Sequence, residues 1–156
     1  MTVTDHLLRT MAAIAPGTRV VVVGCGRVQP DDLARLGLDV WACDPDPQTV
    51  QTIRAASSAL DPARVTQATP TALGYPDTFG AWAALDLGAA RDGPEALAEA
   101  TRTVALGGWI WVSHPAGTDA LMALELPVGV VPAEAPRDHD DGGTVIVRRV
   151  DDSVVG

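Results

Sequence analysis

An α/β fold built on a mostly parallel sheet is predicted from three observations in the sequence. Residues 20–23 are four consecutive valines followed at once by Gly24-Cys25-Gly26, the mark of a strand buried on both faces that ends in a sharp turn. A second apolar strand, 39–43, ends on an acid, Asp44, that lies 20 positions after Gly24. Further apolar strands then alternate with helical segments, except that no helix fits between the last two. Helices between strands force parallel neighbours, whereas a short direct connection makes an antiparallel pair.

Each element follows from local signals. Residues 4–15 form a helix, with Thr4 as cap and Leu7, Leu8, Met11 and Ile14 at helical spacing. Pro16-Gly17 stops it, and the valine strand and glycine turn come next. Pro30 opens a short helix, Asp31 and Asp32 suit its positive end, and Gly37 closes it. After the second strand, Asp46 caps a helix that Pro47 begins, with Val50, Ile53 and Leu60 on its inner face. Residues 64–68 are a short third strand, 69–79 a loop, and 80–87 a fourth strand. A helix over 94–106 ends at Gly107-Gly108, and the fifth strand spans 109–113. Residues 114–118 are a loop and 119–124 a short helix. The last strands are 127–131 and 144–150, joined by a mobile connection rich in Asp, Pro and Gly.

The 156 residues suit one domain, 1–156, and the 47% hydrophobic content supplies a core made mainly from alanine, valine and leucine. The net charge is −9 and every base is arginine. Such a surface repels phosphate backbones, which argues against nucleic acid as a partner. Cys25 and Cys43 are the only cysteines; they are too few for a disulfide framework and have no companions for a metal site. No stretch is long and apolar enough for a membrane span, and the start of the chain lacks a signal-peptide pattern, so a cytoplasmic location is expected.

The glycine turn and its spaced acid suggest a nucleoside-containing ligand. Glycines let the backbone approach a ligand closely, and a carboxylate has acceptor capacity for both hydroxyls of a ribose. With VVVVGCG at 20–26, Asp44 after the second strand and EALAEATRTVALGGWIWVS at 95–113, the chain resembles the class I S-adenosylmethionine-dependent methyltransferases over nearly its whole length. That resemblance implies a three-layer α-β-α sandwich around a seven-stranded sheet in the order 3-2-1-4-5-7-6, with strand 7 antiparallel. It implies S-adenosylmethionine as cofactor, across the carboxyl ends of strands 1, 2 and 4. Gly24, Cys25 and Gly26 would pass beneath its methionine part, and Asp44 would hold the ribose. In that role Asp44→Ala should weaken the cofactor without changing the melting point.

Two further residues are candidates for catalysis. Asp86 stands near the carboxyl end of strand 4, where this architecture places chemistry. His114 follows strand 5 on the same rim, where a neutral imidazole could take a proton from an acceptor. Tyr75, Trp82, Trp109 and Trp111 suit packing, and His6 and His139 sit in polar, end-like surroundings with no sign of a site. Methyl transfer needs alignment and exclusion of water more than strong acid-base groups. The expected activity is therefore methyl transfer to a small-molecule substrate, or at a site that a protein partner completes, in a chain that could also self-associate. The alternative is a non-catalytic binding or oligomerisation module of the same fold. Val22, Val28, Ala68-Thr69 and Gly80 support it, since they stand where the family usually has acids or a third glycine.

Overall fold

The structure, a computed structural model, describes residues 1–89 and 92–150. Seven strands form one sheet in the order β3-β2-β1-β4-β5-β7-β6. They are β1 (Arg19–Val23), β2 (Asp39–Asp44), β3 (Val65–Gln67), β4 (Gly80–Asp86), β5 (Val104–His114), β6 (Val130–His139) and β7 (Gly142–Arg149). The pairs from β3 to β5 are parallel, and β7 runs antiparallel to both neighbours. The order and the reversed strand 7 are those the sequence led us to expect. The predicted span 1–156 includes residues 90, 91 and 151–156, which lie outside the described residues.

The helices cover both faces of the sheet. They are α1 (Val3–Ala12), α2 (Pro30–Arg35), α3 (Pro47–Ala56), α4 (Gly93–Arg102) and α5 (Thr118–Met122). Alternation along β1 divides the core: Val20 and Val22 pack with Val3, Leu7 and Met11 of α1 and Leu33 of α2, while Val21 and Val23 pack with Ala96, Leu97 and Ala100 of α4. Side chains on a strand point to opposite faces in turn, so an all-valine strand needs a core on each side. No helix stands between β3 and β4. There the loop 69–79 lays Tyr75 and Phe79, stacked at 5.3 Å, beside Trp41 of β2.

Several boundaries differ from the sequence reading. The cap of α1 is Thr2, not Thr4, in a reciprocal capping box with Asp5. α4 ends at Arg102, and β5 begins at Val104, inside the predicted helix. Gly107-Gly108 interrupts β5 rather than closing a helix: Gly107 has φ +82°, and a Cβ on Gly108 would stand 2.3 Å from Val104 and 2.7 Å from the Ala81 carbonyl oxygen. The predicted mobile connection before β7 is mostly strand. β6 extends to His139 and only Asp140 and Asp141 form the turn. Its prolines, Pro132 and Pro136, are tolerated because β6 is an edge strand.

Trp111 is completely buried, and its indole N–H donates to Nδ1 of His6 at 3.0 Å. His6 is buried as well, contrary to its expected end-like setting. Its Nε2 lies 3.7 Å from Glu134, which also pairs with Arg137 at 3.2 Å, and its ring lies 4.9 Å from His139, itself bonded to Thr144 at 2.8 Å. Burial first, then His139 and Arg137, hold His6 below its ordinary value, with Glu134 opposing them. The fold therefore favours neutral His6. That stabilisation is complete above the unfolded value of 6.5 and is lost as pH falls below it. Urea unfolding at about pH 7.5 and about pH 5.5 should show the loss. His6→Asn keeps an acceptor for Trp111 and cannot titrate, so it should flatten that slope; an unchanged slope would assign it to other groups.

Candidate functional site

The glycine turn leaves β1 beside the end of β4. Gly24 has φ +88°, and a Cβ there would come within 3.3 Å of both Cβ and the carbonyl oxygen of Asp86. The backbone angle therefore favours glycine, and a Cβ would also be tight against Asp86. The Gly24 N–H donates to the Cys43 carbonyl at 2.9 Å, which extends the β1–β2 ladder into the turn. Gly26 is exposed, and a Cβ there would meet nothing within 4 Å. The backbone at Gly26 thus borders open space.

Asp44 closes β2 and is only 4% exposed. Its Oδ2 accepts from the Cys25 N–H at 2.8 Å and its Oδ1 from the Asp46 N–H at 2.9 Å. The turn and the acid are thus physically joined. An ionised carboxylate has about four acceptor positions, so these bonds leave one on each oxygen for a ligand hydroxyl. The unchanged melting point expected for Asp44→Ala is corrected here: Asp44 satisfies two backbone donors, so its loss has a stability cost. Asp46 has the capping role expected of it, accepting from Gln48 N–H at 3.1 Å and Thr49 Oγ1 at 2.9 Å. Val28 does not fill the space beside the turn. It is buried in the core cluster of α1 and α2, with Val3 and Leu33.

Cys25 and Cys43 are buried free thiols. Cys25 Sγ donates to the Cys43 carbonyl at 3.5 Å. Burial pushes the Cys25 thiol well above its ordinary range and Cys43 up to about 12. Both stay protonated near neutrality, so neither is an active nucleophile or a ready metal ligand. Among the described residues no cluster of three or more His, Cys, Asp or Glu could hold a metal ion.

Asp86 and His114 stand on adjacent strand ends, Asp86 being paired in register with Ser113. Asp86 is buried, and its Oδ1 accepts from Ser113 Oγ at 3.1 Å and Gly88 N–H at 3.0 Å. It faces the turn through its contact with Gly24. The Nδ1 of His114 accepts from the Ala116 N–H at 3.0 Å, so in the neutral ring Nε2 carries the proton and is a donor. His114 lines a cavity of about 210 Å³ with Leu87, Pro94, Ala120 and Leu124. A pocket with aliphatic side chains and one imidazole thus lies beyond the end of β4.

Arg27 went unmarked in the sequence because a lone arginine after a turn carries no periodic or motif signal. Its side chain leaves the glycine turn for the tip of the β6–β7 hairpin, where Nη2 bonds the Asp141 carbonyl and lies 3.6 Å from its carboxylate.

No protein-family model matches the sequence, and no curated protein matches it. Solved structures do. Over 95% of this chain and 89% of the other, it superposes at TM-score 0.72 and 14% identity on the complex between the Haloferax volcanii Trm112 methyltransferase activator and a methyltransferase. An S-adenosylmethionine-dependent methyltransferase from Methanosarcina mazei matches at TM-score 0.67 and 12% identity, covering 97% of this chain and 99% of that one. One from Mesorhizobium loti matches at TM-score 0.68 and 15% identity, covering 92% and 96%. Likeness at such identities is a likeness of architecture. The sheet order, the reversed β7 and these superpositions together show that this chain has the class I S-adenosylmethionine-dependent methyltransferase fold.

Proposed function

We propose that the chain binds S-adenosylmethionine across the carboxyl ends of β1, β2 and β4 and transfers its methyl group to a small acceptor. The observation that carries this reading is the direct bond between the Cys25 N–H and Asp44, with open space at Gly26 beside it. The residues present suit the cofactor. Asp44 offers a free acceptor position on each oxygen for the ribose hydroxyls, and Gly24, Cys25 and Gly26 bring backbone close to the methionine part. Bound S-adenosylmethionine would supply an electrophilic methyl group, with the thioether S-adenosylhomocysteine as its leaving group.

This chain's contribution is position and water exclusion. Asp86, fixed by Ser113 and Gly88 at the end of β4, holds a carboxylate next to the turn, where it favours positive charge. His114 Nε2–H orients an acceptor by donating to an oxygen or nitrogen on it. The apolar walls of the acceptor pocket that His114 lines suit a small, largely uncharged molecule. A protein partner is a second way to complete the site, by analogy with the Haloferax complex.

One observation favours the module reading instead. Asp44 is 4% exposed and holds two backbone donors, duties that suffice to explain an acid at this place. Calorimetric titration with S-adenosylmethionine and S-adenosylhomocysteine separates the two. Micromolar to submillimolar binding of both is expected. No heat at millimolar ligand would leave a binding or oligomerisation module, and binding of a nicotinamide dinucleotide alone would replace the cofactor.

A further inference from the structure

The tip of the β6–β7 hairpin does more than join two strands. Asp141 accepts from the Val3 N–H at 2.8 Å, receives Arg27 Nη2 on its carbonyl oxygen, and holds the same guanidinium 3.6 Å from its carboxylate. Thr4 Oγ1 donates to the Arg27 carbonyl at 3.0 Å, so Arg27 is gripped by both its side chain and its backbone. Gly142 makes room for this contact. A Cβ there would stand 3.2 Å from Arg27 Nη1 and 2.7 Å from the His114 carbonyl oxygen. On the far side, Asp138 accepts from the Thr118 N–H at 3.0 Å, and a Cβ on Gly143 would stand 2.7 Å from the Gly117 carbonyl carbon.

We propose that this tip clamps the glycine turn, which makes Asp141 a positioning residue for the cofactor side of the site. The turn is pinned at Cys25 by Asp44 and at Arg27 by the hairpin. Gly26, the free backbone facing open space, is suspended between those two points. An exposed ion pair alone would contribute little. Here the pair is one of several ties converging on a glycine-rich segment whose own conformational freedom is large. Because the same tip packs against the end of β5 at His114 and the loop that follows it, the cofactor side and the acceptor pocket share one support.

The consequence for affinity rests on the proposed cofactor reading, but the clamp itself does not, and the test separates them. Asp141→Asn keeps the acceptor for Val3 and the backbone carbonyl that Arg27 bonds, and removes only the charge 3.6 Å from the guanidinium. Arg27→Met keeps the length of the side chain and removes its donors. Hydrogen exchange at the Cys25 amide should accelerate about tenfold in Arg27→Met and by a smaller factor in Asp141→Asn, with the amides of β1 and β4 unchanged. S-adenosylhomocysteine should bind about tenfold more weakly to Arg27→Met. The double variant should be no worse than Arg27→Met alone, because that substitution already removes the whole contact. Arg27→Lys should restore part of the protection. Unchanged exchange at Cys25 in Arg27→Met would overturn the clamp and leave Asp141 a tie between α1 and the hairpin. Faster exchange in a protein that takes up no S-adenosylhomocysteine would uphold the clamp and remove the cofactor reading. Weaker binding with unaltered turn exchange would overturn the clamp as the route to affinity.

Discussion

Asp44→Asn is expected to weaken S-adenosylhomocysteine binding by about thirtyfold or more, a loss of about 2 kcal/mol. The aspartate receives the Cys25 N–H on one oxygen and the Asp46 N–H on the other. An amide has a single oxygen, so its NH2 group must face one of those donors. Whichever way it turns, a backbone N–H loses its acceptor and an acceptor position for ribose disappears with it. The melting temperature should fall too, because a buried unsatisfied donor costs about 1–3 kcal/mol. Calorimetric titration beside a thermal melt reads both quantities. Reduced stability with unchanged affinity would make Asp44 a structural acid only.

Asp31→Ala is expected to cost about 3 kcal/mol or more, measured by urea unfolding at neutral pH. Asp31 is buried, and its Oδ1 accepts three successive backbone N–H groups, Ser58 at 3.0 Å, Ala59 at 2.8 Å and Leu60 at 2.9 Å. Its Oδ2 takes the Ser58 hydroxyl at 3.1 Å and meets Arg35 at 3.0 Å. This one carboxylate fastens α2 to the segment that follows α3. Burial pushes its pKa upward, but the three backbone donors and Ser58 outweigh that and bring it down to about 2. A depressed acid stabilises the fold above its unfolded value of 3.8 and loses that contribution as pH falls toward about 2. Alanine leaves three N–H groups unpaired, so the variant should lose stability at neutral pH and lose less on acidification. A variant as stable as the parent would mean that the segment after α3 finds other partners. Sequence signals assign Asp31 only to the first turn of a short helix, since its real partners lie 27 to 29 positions away.

The same contrast between local and distant partners decides what was legible elsewhere. The valines of β1, the glycine turn and Asp44 announce themselves because strand, turn and acid are each local patterns with a fixed spacing. Asp46 as a cap and Pro47 as the first helical residue follow from chemistry within three positions. Ala105 to Gly108 misled because alanine and leucine favour helix while the glycine pair resembles a helix stop. In the structure a contact with Ala81, far away in the chain, makes Gly108 necessary. The extension of β6 was hidden by its prolines and acids, which an edge strand accommodates. His6 and Arg27 were invisible as functional groups for one reason. Trp111, Glu134 and His139 surround the first and Asp141 holds the second, all from strands or turns more than 100 residues distant.

The central claim is that an adenosyl group lies between Asp44 and the turn at Gly24 to Gly26. Its most direct test is an amide chemical-shift map of the unaltered protein during titration with S-adenosylhomocysteine. Saturable shifts concentrated at Gly24, Cys25, Gly26, Asp44 and Asp46 are the predicted result, with β6 and the far ends of the strands unmoved. Saturation with shifts confined to other surfaces, or no shifts at millimolar ligand, would contradict it.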